Sequence, residues 1–499
     1  MKFGLEQHII DTLIAVFEQH SKVDKALVFG SRAKGNYRPD SDIDIAIKGQ
    51  DLNTDDIIAM SVAFEEKGIT HKIDLINYHS IKEPELKDHI DRVGIEFYSR
   101  WQKVEIKDII ESANTGLDAI KRAPIVNFDT GIKCLRIQDV SQTKKYEDWG
   151  FCNVEERNFK RFQLKKEEII IARTGATVGV NMFIENDLQS VFNNGLIRIR
   201  TNKNKCLPKF LHYTFRTTHF NSFIESISDG TSTQPNMQIN ALLTFEIALP
   251  PLKEQTHIAN ILTSLDNKID LLNRQNKTLE QLAETLFRSY FPMTNEENKY
   301  VELGNYVDCI IGVSYKSSEL NPSKVGMVSL KSFDRNGGFS IDGFKEFTGK
   351  FKEKQEVVEG DLIVAHTDIT QDAEVIGNPA LVIANPNFDT MTISMDIVKV
   401  ISKVDWISIE FLYFLMKTRE FKSHCEGCAN GSTVLHLNKQ AIPTFEFPEP
   451  DKINVAEFTK QAKEIVNKIF LNHRQLRNLV KTRDTLLPKL MSGEVRVNL

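Results

Sequence analysis

The sequence is poor in the features that would commit it to a membrane, to a disulfide scaffold or to unaided binding of a polyanion. None of its 499 residues falls in an uncharged apolar run of about 18 residues, the length a spanning helix requires, so no segment reads as a membrane helix. The opening MKFGLEQHIIDTLIAVFEQH is amphipathic but interrupted by Glu6, His8 and Asp11, and it lacks the apolar block and small-residue cleavage site of a secretory signal. The expected location is the cytoplasm. Cysteine is scarce and scattered: of six, only Cys425 and Cys428 form a CxxC pair, without the second ligand pair of a zinc site or the regular spacing of a disulfide framework. Basic excess is missing too. Lysine and arginine number 63 against 68 acidic residues, a net charge of −5. Residues 1 to 100 carry 13 against 18, residues 101 to 250 carry 20 against 17, and residues 300 to 450 carry 14 against 21. A surface that gripped nucleic acid everywhere would be basic, so any such contact must use local patches or a basic partner.

What is present is a duplication. At roughly 150 residues per domain the chain should hold three or four domains, and an internal repeat accounts for most of them. Thr244-Phe245-Glu246 recurs as Thr444-Phe445-Glu446, Pro250 as Pro450, and TSTQ at 231 to 234 as GSTV at 431 to 434. Upstream, EEIIIARTG at 167 to 175 matches GDLIVAHTD at 360 to 368, and VEIKDII at 104 to 110 matches VELGNYV at 301 to 307. The drifting offset places insertions in loops. Residues 101 to 292 and 299 to 490 therefore read as two copies of one unit, with the first 100 residues outside it.

Each copy ends in a long helical pattern. Ile258, Leu265, Leu272, Leu279 and Leu286 recur every seven residues, and Phe458, Ile465, Leu479 and Leu486 follow the same rhythm around a polar Asn472. Such heptads predict two helices packing on each other as a coiled coil. At some 38 residues each would extend about 57 Å, longer than a small domain needs, and so suited to act as a spacer. Lys268, Gln275, Asn472 and Gln475 are the seam positions expected to fix register.

The bodies of the copies are β-rich runs separated by loops of Gly, Ser, Thr, Asn and Gln, which gives an α+β multidomain fold. Such loops offer free amides and short hydrogen-bonding side chains suited to phosphates and base edges, and they suit ordinary turns equally. The candidate DNA contacts are Arg173, Thr174 and Thr177 in RTGATVG, Thr231, Ser232, Thr233, Gln234 and Asn236 in GTSTQPN, and, in the second copy, His366, Thr367, Ser432 and Thr433.

Residues 101 to 499 resemble the DNA specificity subunit of type I restriction-modification enzymes. The resemblance rests on EEIIIARTGATVG at 167 to 179, GTSTQPNM at 230 to 237, IALPPLKEQTHIANIL at 247 to 262, LDNKIDLLNRQNKTLEQLAETLFRSYF at 265 to 291 and RDTLLPKLMSGEVRV at 483 to 497. It implies two target-recognition domains at 101 to 251 and 299 to 450, and two antiparallel spacer helices at 252 to 292 and 451 to 490, the second with a tail to 499. It further implies double-stranded DNA as ligand, two docked methyltransferase subunits, and restriction or motor subunits as partners. S-adenosylmethionine enters only through the methyltransferase. The second copy departs from the pattern, with HTDITQD at 366 to 372 in place of RTGATVG. Asn385-Pro386-Asn387-Phe388 imitates an amine-methyltransferase motif but lacks its second proline, and no glycine-rich donor loop precedes it.

The first 100 residues carry their own chemistry. Lys25 to Phe29 reads as a buried strand, Gly30-Ser31 as a tight turn into a short helix, and Ile43 to Ile47 as a second strand. Asp42 and Asp44, two residues apart, are expected on one face, with Asp74 in HKIDLIN joining from a further strand. Converging hard oxygens suit Mg²⁺ bound together with nucleotide phosphates, and Asp74 could take a proton from an attacking hydroxyl. Gly30 and Ser31 would present amides and a hydroxyl to the phosphates. GS, DxD and a lone Asp in this order resemble the minimal nucleotidyltransferases of the polymerase-β superfamily. That implies Mg²⁺-dependent transfer of a nucleoside monophosphate from ATP or another NTP to a hydroxyl, with Arg32, Lys34 and Ser41 beside the triphosphate. Small members of that family act as antitoxins on a HEPN-type toxin, which makes such a toxin a further partner. Three readings follow: a DNA specificity subunit with an appended nucleotidyltransferase; a stand-alone nucleotidyltransferase that the duplicated region tethers to DNA or to a partner; or an assembly scaffold with no sequence preference on DNA.

Overall fold

A computed structural model describes residues 2–20, 22–49, 51–118, 120–228, 236–293, 299–333, 338–369, 373–431 and 434–497. The chain divides into two compact units, Met1–Asp266 with Lys481–Leu499, and Asn267–Val480. Among the described residues no helix is long and apolar enough to cross a membrane.

The first unit begins with a four-stranded sheet. Its strands are β1 (Lys25–Val28), β2 (Ile43–Lys48), β3 (Ile73–Asn77) and β4 (Ile95–Ser99), ordered β3-β2-β1-β4, with β2 and β3 parallel and the other pairs antiparallel. The period-two alternation of β2 decides its two faces. Ile43, Ile45 and Ile47 pack on Ile10, Leu13, Val16 and Phe17 of α1 (Gln7–Gln19) and on Met60 and Phe64 of α3 (Thr54–Glu66). Ala46 turns the other way, toward Ile90 of α4 (Pro84–Val93). Asp44 shares the Ala46 face, so an otherwise apolar strand carries one carboxylate onto it. Asn53 starts α3 with a reciprocal cap: its side chain accepts from Asp56 N–H while the Asp56 carboxylate accepts from Asn53 N–H, satisfying two amides that a helix start leaves open. The short helix α2 (Gly30–Lys34) follows β1 directly.

The duplicated region folds twice to one plan. In the first repeat the strands Asn181–Phe183, Ile169–Ala172, Leu196–Thr201 and Ile110–Thr115 form an antiparallel sheet in that order. In the second, Pro379–Leu381, Leu362–Ala365, Ile397–Ser402 and Val307–Ile311 do the same. Each repeat adds one parallel pair, Ser190–Phe192 with Lys133–Leu135 and Thr390–Ile393 with Val325–Val328. Each also closes on a two-stranded ribbon, Gln102–Glu105 with Glu246–Leu249 and Tyr300–Glu302 with Glu446–Pro448. The same glycine is required in both. A Cβ at Gly116 would lie 2.1 Å from the Phe192 carbonyl oxygen, and one at Gly312 would lie 2.2 Å from that of Ser394. Only a bare backbone fits such an approach.

Two long helices, Leu252–Tyr290 and Lys452–Ser492, complete the architecture. Within the second unit they run antiparallel: Asn472 Nδ2 donates to Asn276 Oδ1 at 2.8 Å and Gln461 Nε2 to Tyr290 Oη at 3.0 Å. Asn276, not its neighbour Gln275, is thus the partner of the seam asparagine, while Gln275 and Gln475 face solvent. Ala283 and Phe287 share a core with Val455, Phe458, Ala462 and Val466. Within the first unit, Ile258 and Leu262 share a core with Leu487, Leu490 and Met491, and Arg483 bonds Asp266 at 3.1 Å. Each repeat body is fastened to the first long helix in the same way. Tyr213 donates its hydroxyl to Asp266, which Arg216 also binds at 2.6 Å. Tyr413 donates to Glu280, which Lys417 binds at 2.7 Å. Burial raises both phenols and keeps them protonated donors, Tyr413 most strongly.

The N-terminal domain is anchored by charge. Arg496 lies 3.0 Å from Asp24, at the start of β1, and 3.4 Å from Glu254 at the start of the first long helix. Glu254, 1% exposed, also accepts from the indole N–H of Trp101 at 3.1 Å. Burial outweighs the pull of Arg496 and pushes the Asp24 carboxyl up to about 6.

Candidate functional site

In the N-terminal domain the strand register assembles the site. The parallel pairing of β2 and β3 sets Asp44 directly beside Asp74. Gly30 adopts φ +69°, and a Cβ there would stand 2.1 Å from Asp44 Oδ2. The α2 turn therefore comes down onto the Asp44 carboxylate, and only glycine permits it. Burial, then the neighbouring charges of Asp74 and Asp42, raise the Asp44 carboxyl above its ordinary range. This mutual repulsion is what a bound cation relieves.

Asp42 adds its charge to that of Asp74 in acting on Asp44. It precedes β2, and its carboxylate is held by Lys72 at 2.6 Å. Among the described residues no three His, Cys, Asp or Glu side chains are gathered closely enough to hold a metal. The Asp42–Lys72 pair is largely exposed and therefore weak, so a divalent cation can compete with Lys72 for the Asp42 carboxylate. Asp44 and Asp74 fit Mg²⁺ as hard oxygen donors, with Asp42 able to join them on release.

The remaining predicted neighbours separate. Arg32 is 2% exposed, and its guanidinium donates to the carbonyls of Phe3, Pro39, Ser41 and Asp42. It faces inward and braces the loop that leads into β2. Ser41 Oγ accepts from Arg38 N–H at 2.9 Å in that loop. Ser31 is half-buried in the first turn of α2, and Lys34 is exposed in its last turn. Lys72 went unrecognised from sequence, although its place two residues before Asp74 sets it on the same side of an extended chain.

In the duplicated region one backbone hub recurs. Arg173 N–H donates to Gly195 O at 2.9 Å, and Met237 N–H donates to Arg173 O at 2.7 Å. In the second repeat His366 N–H donates to Asp396 O at 2.7 Å, and Leu437 N–H to His366 O at 2.8 Å. Thr174 bridges Asn236, and Thr367 pairs with His436. Each hub thus joins the loop after a central strand to the segment that leads toward the long helix of its own repeat. In the first repeat Arg173 also donates to Asn236 Oδ1 at 3.1 Å. Arg173, Thr174 and Thr177 are half-buried and Asn236 is exposed; Arg173 and Thr174 meet Asn236 directly, and Thr177 follows in the same loop. Thr231, Ser232, Thr233, Gln234, Ser432 and Thr433 lie outside the described residues.

The second hub is more closed. Thr367, 3% exposed, donates to Asp396 Oδ1 at 2.9 Å; its hydroxyl is committed inside the fold instead of to a base edge. His366 is half-buried, and burial together with His436 and Lys439 keeps its imidazole neutral to lower pH than usual. His436, the positional counterpart of Asn236, is the exposed polar side chain here, and no motif in the sequence marked it. Asn385 to Phe388 is a turn, in which Asn385 accepts from Asn387 N–H and Phe388 N–H.

Known proteins show the same division. Residues 98–281 match the family model described as type I restriction modification DNA specificity domain, and residues 11–103 match that of polymerase beta, nucleotidyltransferase. The chain is 23% identical over 471 residues to the type I restriction enzyme HindI specificity subunit of Haemophilus influenzae, covering 80% of this chain and 100% of that protein. It is 25% identical over 422 residues to the MjaIX specificity subunit of Methanocaldococcus jannaschii, covering 80% and 94%. A crystal structure of a type I restriction-modification system S subunit from M. genitalium covers 78% of this chain and 96% of its own, with 17% identity and a TM-score of 0.50, and shows the fold in common. The chain thus carries a nucleotidyltransferase domain of the polymerase beta family ahead of a type I restriction modification DNA specificity domain.

Proposed function

We propose that this protein is the DNA-recognition subunit of a type I restriction-modification system, with its two repeats each reading one half of a split target. The observation that carries the reading is the recurrence of one hydrogen-bonded hub in two bodies, each fastened by a tyrosine to the same long helix. Two like readers on antiparallel supports suit the local twofold symmetry of duplex DNA. In this reading residues 101–251 and 299–450 are the recognition domains, and 252–292 and 451–490 are the spacers on which two methyltransferase subunits dock, supplying S-adenosylmethionine chemistry that this chain lacks. Motor or restriction subunits join that assembly.

Residues 1–100 add transfer of a nucleoside monophosphate from ATP or another NTP to a hydroxyl. Asp44 and Asp74, joined by Asp42 once Lys72 yields it, would hold Mg²⁺, which neutralises the triphosphate and favours departure of pyrophosphate. The α2 turn offers Gly30 and Ser31 to the phosphates, Lys34 reaches the outer ones, and Asp74 accepts the proton of the attacking hydroxyl.

Two assays on the full chain test the halves separately. Co-purification with the methyltransferase encoded beside it, followed by selection from random duplex DNA, should return a split motif; failure to bind that methyltransferase would count against the first half. Incubation with α-phosphate-labelled NTP and partner proteins should label an acceptor, and the label should vanish in Asp42→Ala and Asp44→Ala. An inert wild type would leave the domain as a docking module.

A further inference from the structure

The first repeat carries a cleft that plays no part in the hub or the nucleotide site. It encloses about 620 Å³ and is lined by Lys121, Arg122, Asn153, Arg157, Asn158 and Arg161, with a single acidic side chain, Glu155. Glu155 is already taken by Arg157 at 2.8 Å. Lys121, Arg122 and Arg161 have no carboxylate partner among the described residues, and all three are exposed. The Arg161 guanidinium lies 5.3 Å from the centroid of the adjacent Phe162 ring. Ile120, next to Lys121 in sequence, is 86% exposed, and Phe128, farther along the same segment, is 60% exposed. Three unpaired cations on one concave wall cost self-repulsion, and that cost is recovered only when a polyanion is seated.

We propose that this cleft grips the sugar-phosphate backbone of duplex DNA independently of sequence, and that the first repeat therefore supplies most of the electrostatic affinity for both. The inference rests on the DNA-reading function proposed above and deepens it. Lys121, Arg122 and Arg161 contact phosphates, while Ile120 and Phe128 lie against sugar faces. Duplex DNA is the occupant because charge is supplied along a wall and not focused on one point, as a single free phosphate would need. The balance of the two repeats agrees. Residues 101–250 carry 20 basic against 17 acidic residues and residues 300–450 carry 14 against 21, so the second repeat reads without such a grip. The cleft also explains how a chain with no overall basic excess can hold DNA.

The test is equilibrium binding of the full chain, together with its methyltransferase, to its selected duplex and to a scrambled duplex, across a salt series. Lys121→Ala/Arg122→Ala/Arg161→Ala should flatten the plot of log affinity against log salt by about 3, near 0.9 for each phosphate no longer neutralised, and should weaken both duplexes equally. Phe128→Ser should weaken both several-fold with the slope unchanged. Removal of charge elsewhere, Lys67→Ala/Lys82→Ala in the N-terminal domain, should leave the slope intact. The grip is overturned if the triple variant keeps the wild-type slope, if it loses affinity only for the selected duplex, if the distant control flattens the slope equally, or if single-stranded RNA outcompetes duplex DNA. A wild-type complex with no preference for any duplex would instead overturn the DNA-reading function itself.

Discussion

Arg496→Ala should loosen the N-terminal domain from the first repeat, and the size of the effect follows from what it leaves behind. Arg496 stands between Asp24 and Glu254; without it two largely buried carboxylates face each other, with only the weaker pulls of Arg100 and Lys25 left on Asp24. Removing one partner of a buried ion pair typically costs about 3–5 kcal/mol, because the remaining charge is stranded. Two are stranded here, so about 4 kcal/mol is expected for the unit that contains them. Trp101 reports the event, since its indole bonds Glu254. The pH dependence provides a second signature. The Asp24 carboxyl sits at about 6 against an ordinary 3.8, so the folded state holds this proton more tightly than the unfolded chain. Stability therefore falls as pH rises from about 4 to about 6, by about 2 kcal/mol once screening of the part-exposed carboxylate is allowed for. Asp24→Asn should abolish that slope and Arg496→Ala should carry it above pH 6, since the strongest opposing influence on Asp24 has gone. Urea unfolding followed by tryptophan fluorescence at several pH values reads all three. An Arg496→Ala protein within about 0.5 kcal/mol of wild type, with an unchanged pH slope, would refute the anchoring argument.

Three further outcomes are expected. Asn276→Leu/Asn472→Leu should raise the melting temperature of the helix pair, because one buried hydrogen bond and two unsatisfied amide groups give way to apolar packing, while register becomes less defined; cysteine cross-linking at positions 461 and 290 would then yield mixed pairings instead of one. Gly30→Ala should abolish labelling by the N-terminal domain and destabilise it by about 1–3 kcal/mol, since both φ and the Asp44 contact forbid a Cβ; a folded, active alanine variant would contradict the geometry. Asp44→Asn should abolish labelling yet leave thermal stability equal or higher. Burial and Asp74 disfavour the ionised Asp44 carboxylate, so loss of its charge relieves the fold, and a marked fall in melting temperature would count against that account.

The architecture was legible because it is written in long periods. Offsets near 200 residues announced the duplication, and the structure returns the same strand order twice. The heptads announced the long helices, yet the residue that meets Asn472 is Asn276, one place from the seam position assigned to Gln275. A seven-residue count drifts against a helix of 3.6 residues per turn, enough to confuse Gln275 with Asn276. In the N-terminal domain, alternation placed Asp44 and Asp74 on strands and the structure sets them side by side. Asp42 and Arg32 could not be read in the same way. The turn to Lys72 depends on a partner 30 positions away, and the burial of Arg32 depends on carbonyls from Phe3 to Asp42, which no local pattern encodes. Thr367 is similar. By the repeat its place corresponds to that of Thr174, but Asp396 stands in the second repeat where Gly195 stands in the first, and its carboxylate draws the hydroxyl inward.

The central claim, that two readers are held at a separation fixed by the long helices, can be tested by lengthening both. Seven extra residues in each helix add about 10 Å, or about 3 base pairs at 3.4 Å each. Selection of duplex DNA by the lengthened protein with its methyltransferase should recover the same two half-sites with the gap between them widened by about 3 base pairs. A contiguous motif, or a split motif whose gap does not change, would contradict the account.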